Sequence, residues 1–258
     1  MHTYIFLNKF RLAFSFLKCL FTNPSSYGAG KISFAGDGII STRPKIELDE
    51  ELIKSFSESM TLHIPQRLHK YSYISHRAQL YYFGASLAFQ NNSHLPMVEC
   101  GVWYGFFART TLKLFQEREI NVLFHLIDLF GQDQTFFKGK GKFNEYSDES
   151  ILNAVNSRFK NYNVEIHQGL IPDVFNLPSI QSIKKISFLS CDLNGAKAEK
   201  DALEFFFPKL AVGGIVYADD YGCQGYEESR KVFDEMLSDT CIPLKTLHSP
   251  ALFLKIKD

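Results

Sequence analysis

The stretch Val98–Thr110, VECGVWYGFFART, decides the reading of this chain. A short apolar run, MVEC, closes on Glu99 and Cys100. Glycines follow at 101 and 105, and the next residues have the composition of a helix. A strand that turns through a glycine loop into a helix is the repeating unit of an open α/β sheet. In such a sheet, ligands sit beyond the carboxyl ends of the strands. The glycines allow the backbone to come close to a ligand. The spacing E-x-G-x-x-x-G is not the G-x-G-x-x-G that sets a pyrophosphate on a helix N-terminus. Trp103 and Tyr104 add bulk where a dinucleotide needs room. Glu99 is poor company for a diphosphate and suits a cation.

Working outward, short apolar runs alternate with longer helical segments. The strand candidates are MVEC, VLFHLID, VEIHQG, KISFLSCD and GGIVYADD, with helices starting near Tyr104, Ser147, Pro172, Ala198 and Glu227. This alternation predicts a mostly parallel sheet covered on both faces. IPLKTLHS and ALFLKIKD, separated by Ser-Pro, predict a closing hairpin with one strand antiparallel to the rest. Lys45–Asn91 reads as helical: ELDEELIKSFSESM has its acids early, and Ile74, Ala78, Tyr81, Tyr82 and Leu87 fall near a 3.6 period. The expected organisation is an N-terminal helical extension or cap over 1–92 and an α/β domain over 93–258. The Gly/Lys-rich stretch FFKGKGKFNEYSDES reads as a long loop placed to act as a lid.

The strand ends carry the chemistry. They read Glu99, Asp128, Gly169, Asp192 and the pair Asp219–Asp220. Acids are depleted inside strands, so four of five strands ending in a carboxylate marks one edge of the sheet. A carboxylate accepts from both hydroxyls of a ribose diol, and Asp128, ending the strand after the glycine loop, stands where such an acid is used. The loop is shaped for a nucleoside that carries a positive charge and no phosphate. S-adenosylmethionine is such a molecule.

Composition sets limits. The chain has 258 residues, 45% of them apolar and 22% charged, with zero net charge. That fits one large core and argues against a general electrostatic grip on nucleic acid. Five scattered cysteines without a CxxC pair fit reduced thiols in a cytoplasmic protein. Near the N-terminus, YIFLNKFRLAFSFLKCLF is apolar but broken by Lys9, Arg11 and Lys18, so no run reaches the roughly 18 apolar residues of a spanning helix. Residues 4–22 read as a basic amphipathic helix. It lies on a membrane surface, or it packs on its own domain or on a partner subunit of a homodimer.

The segments MVECGVWYGFFA, LIDLFG, HQGLIPDVF, ISFLSCDLNGAKAEKDALEFFFPKLAVGGIVYADDYG and GYEESRKVFDEML together resemble class I S-adenosylmethionine-dependent methyltransferases. In particular they resemble the macrocin O-methyltransferase (TylF-like) group. FAGDGIISTRPK also resembles a segment ahead of the core in that group. The resemblance implies a Rossmann-like sheet of seven strands with an antiparallel C-terminal strand. It implies that Glu99 and Gly101 line the methionine and ribose part of S-adenosylmethionine, with Val102, Trp103 and Gly105 in the same loop. By the same resemblance Asp128 holds the ribose hydroxyls, Gly169 borders the adenine, and Asp192 lies beside the reacting methyl. Asp192, Asp219 and Asp220 resemble a cluster that binds a divalent metal, usually Mg²⁺, for which an all-oxygen ligand set is suited. One departure stands out: Asn194 occupies a position where the group often has a second acid.

The expected activity is O-methyl transfer to a hydroxyl of a sugar or glycosylated small molecule, with Asp192 as the metal-linked base. An NAD-dependent dehydrogenase and a non-catalytic binding or scaffold protein are the alternatives. His125 and His167 fall inside strand patterns and read as core residues. His76 and Arg77 precede a helix that caps the cofactor mouth. Tyr221 contacts substrate or packs its loop, and Arg230 and Lys231 read as a solvated helix face.

Overall fold

The computed structural model describes residues 32–35, 38–41, 50–64, 74–131, 150–245 and 249–258. The amphipathic helix expected at 4–22 and the lid expected at 136–150 fall, all but Ser150, outside these residues. Two strands, β1 (Ile32–Ala35) and β2 (Gly38–Ser41), pair antiparallel within the segment ISFAGDGIIS, where no strand was expected. The Gly36-Asp37 dipeptide between them is a recognisable hairpin signal.

Helix α1 (Glu50–Ser59) begins with Glu50 and Glu51, as the helix dipole favours, and α2 (Ser75–Asn91) follows. Then comes the alternating unit: β3 (Met97–Cys100), α3 (Phe106–Glu117), β4 (Phe124–Asp128), α4 (Ser150–Phe159) and β5 (Val164–Gln168). It continues with the short α5 (Pro178–Gln181), β6 (Ile186–Cys191), α6 (Ala196–Phe206), β7 (Leu210–Ala218), α7 (Glu227–Leu237), β8 (Cys241–Lys245) and β9 (Ala251–Lys255). The seven-stranded sheet runs β5-β4-β3-β6-β7-β9-β8, parallel except where β9 meets β7 and β8 antiparallel. The mostly parallel sheet with an antiparallel C-terminal strand is therefore as the sequence predicts.

One expected helix differs. The segment from Pro172 is a 3₁₀ turn at Asp173–Asn176 followed by α5, with Leu177 extended between them. Pro178 is the cause, since a proline drives the residue before it out of the helical region.

Both faces of the sheet are covered, which is why β3 and β6 are buried along their whole length. On one face, Tyr81 and Ala85 of α2 and Leu52 and Phe56 of α1 join Phe107, Phe188, Tyr217 and Leu252 in a single core. On the other, Val98, Ile127, Leu189 and Val216 meet Leu203 and Phe206 of α6 and Phe233 of α7. The helices read as an N-terminal cap thus share the core of the sheet.

Arg158 of α4 ties this arrangement together. It donates to the Ser59 carbonyl (2.8 Å), the Ser59 hydroxyl (2.9 Å) and the Leu62 carbonyl at the end of α1. Burial lowers its pKa to about 9. Because hydrogen bonds to a charged group each contribute about 1.5–3 kcal/mol, Arg158→Ala should lower stability by at least that much. A shift of the urea midpoint at unchanged m-value measures it.

Candidate active site

The loops beyond β3, β4 and β6 hold an unusual density of left-handed backbone: Gly101 (φ +86), Trp103 (φ +51), Gly105 (φ +67), Phe130 (φ +45) and Asn194 (φ +55). Non-glycine residues adopt this region at a cost, and such residues gather at ligand sites. Gly101 is there for space as well as angle. A Cβ at this position would stand 1.8 Å from the Asp192 carbonyl oxygen, because the β3 and β6 loops run side by side. Gly105 caps α3, and a Cβ there would meet the Phe159 ring at 2.5 Å.

Asp128 ends β4 and organises the glycine loop. Its Oδ2 accepts from the Val102 N–H (2.6 Å) and the Trp103 N–H (2.8 Å), and its Oδ1 accepts from the Phe130 N–H (2.8 Å). The Leu129 N–H contributes as well. A carboxylate has about four lone-pair sites, so this acid is occupied with shaping the loop, and a ribose diol would have to share it. The Val102 and Trp103 amides are likewise directed at Asp128. Gly169, after β5, donates to the Asp128 carbonyl (3.0 Å), which places the two loops edge to edge.

Glu99 lies beneath the loop, 3% exposed. The Tyr81 hydroxyl of α2 donates to its Oε2 (3.1 Å). Burial, reinforced by Asp128 and Asp219, raises the Glu99 pKa to about 8. Burial thus favours the protonated form of Glu99 near neutral pH, and a cation beside it would favour the carboxylate.

Asp192, Asp219 and Asp220 come together as expected, each offering an oxygen within 4.8 Å of the others. Burial and the two neighbouring aspartates push the Asp192 pKa well up, and burial with Asp219 takes Asp220 to about 6. Arg77, 5% exposed, reaches into this cluster from the first turn of α2. Its Nη1 pairs with Asp219 Oδ2 and, at 3.3 Å, with Asp220 Oδ1, while Nη2 lies 3.1 Å from Cys223 Sγ. The Tyr217 hydroxyl donates to Asp219 Oδ1 (2.6 Å). Both oxygens of Asp219 are thus engaged. Mg²⁺ requires near-octahedral oxygen ligands at about 2.0–2.1 Å turned towards it. Two of the three acids, Asp219 and Asp220, turn an oxygen to the Arg77 guanidinium, so that side chain competes with a cation for the cluster.

Asn194 has a physical reason to be asparagine. It tolerates its left-handed φ better than most residues, and its Oδ1 accepts from the Tyr226 hydroxyl (2.8 Å). The other singled-out residues sort themselves. Tyr221 packs its loop, donating to Asp234 and meeting Phe253 edge-on. Arg230 and Lys231 lie on an exposed face with Asp234 and Glu228. His125 and His167 are buried in the sheet, near the start of β4 and one residue before the end of β5, and desolvation lowers the pKa of His125 to about 4. The reading by residue pattern missed Tyr81, Tyr217, Cys223 and Tyr226, and it gave Arg77 only a place at the cofactor mouth.

A seven-stranded sheet in this order, with a glycine loop and acids at its carboxyl edge, is the Rossmann-like fold of class I, S-adenosylmethionine-dependent methyltransferases. Residues 98–221, from Val98 through the loop after β7, match the family model described as "Methyltransferase domain". By this match the stretch is a methyltransferase domain. Its fold is similar to that of the O-methyltransferase NovP (17% identity, 72% of this chain and 82% of that chain, TM-score 0.57). It is also similar to CalS11, a TDP-rhamnose 3′-O-methyltransferase of calicheamicin biosynthesis (16% identity, 83% and 97%, TM-score 0.51). No curated protein sequence matches the chain.

Proposed function

We propose that the chain is a TylF-like O-methyltransferase that moves a methyl group from S-adenosylmethionine to a hydroxyl of a sugar or glycosylated small molecule. The observation that carries this is the buried Glu99 beneath a glycine loop that Asp128 holds in shape, one strand away from the acid cluster. The sugar part of the proposal is supported by the sequence resemblance and by what CalS11 acts on.

Bound S-adenosylmethionine supplies an electrophilic methyl on a sulfonium. The residues of this chain have to align an acceptor hydroxyl with it and remove the hydroxyl proton. Glu99 receives the positive charge of the cofactor and loses its own proton. Asp192 in its ionised form accepts the proton of the acceptor hydroxyl, and burial, by raising its pKa, makes that carboxylate the stronger base. Arg77 offsets one of the two charges of Asp219 and Asp220, which lowers the cost of negative charge developing on the nucleophile. A fixed guanidinium thereby takes the place that a divalent cation has in the resembling group.

The test is thermal unfolding with S-adenosylhomocysteine, NAD and magnesium, followed by mass analysis of nucleotide sugars and glycosides incubated with S-adenosylmethionine. A ligand at 100 times its Kd stabilises a fold by about 2.7 kcal/mol. A shift with the adenosyl ligand, insensitive to chelator, and a one-methyl mass gain on a sugar are expected. A shift with NAD alone supports a dehydrogenase, and no shift with either supports a scaffold. A methyl transfer that chelator abolishes, and that added magnesium but not zinc brings back, restores magnesium.

Cofactor binding should also depend on pH. Glu99 keeps its proton up to about pH 8, whereas the unfolded chain releases it near 4.5. Between these values the folded, ligand-free protein holds the extra proton. Its stability is therefore fully present below the lower value and is lost as pH rises through the upper one. A bound cation favours the carboxylate, so binding expels the proton and affinity should rise with pH by up to about tenfold per unit, levelling near pH 8. Calorimetric titration in buffers of different ionisation enthalpy measures the proton released, and Glu99→Gln should abolish it.

A further inference from the structure

Outside the acid cluster, three donors converge across β4 and β5. His125 Nδ1 lies 3.1 Å from His167 Nε2, and Glu165 Oε2 lies 3.4 Å from the first and 3.7 Å from the second. The parallel register sets His125 opposite Glu165 and Ile127 opposite His167, so the three side chains leave the same face of the sheet. A triangle with sides of 3.1, 3.4 and 3.7 Å has its centre about 2.0 Å from each corner. That is the length of Zn–N and Zn–O bonds, about 2.0–2.2 Å.

The surroundings are those of a built site. Both imidazoles are buried, at 4% and 5% exposure, so their orientation is fixed by packing. The Ser179 hydroxyl of α5 lies 3.3 Å from His167 Nδ1, which ties the far nitrogen and aims Nε2 at the centre. Such an outer partner is the usual companion of a ligating histidine. The Glu165 side chain is 49% exposed, so one side of the triangle opens to water and offers a fourth position.

We propose that His125, Glu165 and His167 bind a zinc ion, with water completing a tetrahedron. Two imidazoles and one carboxylate suit zinc, whereas the all-oxygen cluster at Asp192 does not. His125 stands three residues before Asp128 and His167 two before Gly169, so the ion is held on the face of β4 and β5 and not in the acid cluster at Asp192. Its role is to fasten the edge strand β5, and the short α5 that follows, to the body of the sheet.

The test uses the full chain, stripped with chelator and titrated with zinc against a chromophoric competitor. One equivalent of zinc is expected, and Co²⁺ in its place should give the intense visible bands of tetrahedral coordination. Glu165→Ala, at a half-exposed position, should weaken binding and leave the fold intact by circular dichroism. Ser179→Ala should weaken it by about 10- to 100-fold, the usual effect of removing an outer partner. Asp220→Asn should leave it unchanged. The proposal is overturned if no zinc is taken up, because the two rings then simply hydrogen-bond to each other. It is also overturned if uptake falls in Asp220→Asn but not in Glu165→Ala, which would place the ion in the acid cluster. Neither result depends on methyl transfer.

Discussion

Arg77→Ala should destabilise the protein by about 3–5 kcal/mol, the usual cost of removing one partner from a buried ion pair, and should abolish methyl transfer. Arg77 stands within the field of Asp192, Asp219 and Asp220, and its guanidinium bridges the last two. Without it, two buried carboxylates face each other with no compensating charge. The variant should also acquire a property that the parent lacks. With the guanidinium gone, three carboxylates face a common space, and magnesium or manganese should raise the unfolding temperature of Arg77→Ala while leaving the parent unmoved. Unfolding scans with and without the ion decide this. A parent that responds to magnesium as strongly as the variant would show that the arginine does not hold the place of a cation.

Among the described glycines, Gly101→Ala should be the most damaging added methyl. Its Cβ would fall 1.8 Å from the Asp192 carbonyl, a backbone atom that cannot swing aside, at a φ of +86. Relief requires the β3 and β6 loops to part, which undoes the geometry that Asp128 holds. A loss above about 4 kcal/mol is expected, in the range reserved for specific mechanisms of this kind. Any folded remainder should fail to bind S-adenosylhomocysteine. Gly195→Ala is the matched control. Nothing lies within 4 Å of a Cβ there, and its backbone is extended, so a change within about 0.5 kcal/mol is expected. Urea unfolding and ligand titration of the pair separate a local clash from a general intolerance of the loops.

Much of this was legible in the chain itself. The strands of the sheet are short apolar runs cut off by acids or glycines, and buried parallel strands advertise themselves in that way. The acids at their ends were legible because strands disfavour them. What was not legible is contact at long range. Arg77 and Asp219 are 142 residues apart, and no local pattern joins them. A clue did exist: Arg77 stands four residues before Tyr81, so it shares the helix face that buries Tyr81, Ala85 and Ala88. A charge on an apolar face calls for a buried counter-charge, and the strand-end aspartates were the candidates. Tyr81 was read as one apolar residue in a period, because periodicity does not show what a hydroxyl touches. Asp128 was assigned to a ribose by its place in the order of strands. Only the three-dimensional arrangement shows that the amides of Val102, Trp103 and Phe130 reach it first.

The shared core of α1, α2 and the sheet bears on how far this enzyme is modular. The stretch that matches the methyltransferase family starts at Val98, after both helices have ended. A chain trimmed to that start would lose the hydroxyl that meets Glu99 and the guanidinium that meets Asp219. It would also lay bare Phe107, Phe188 and Tyr217. The stretch recognisable by descent is thus smaller than the piece able to fold and act by itself. In transplantation or fusion, the portable unit has to include the helices from Glu50 onward.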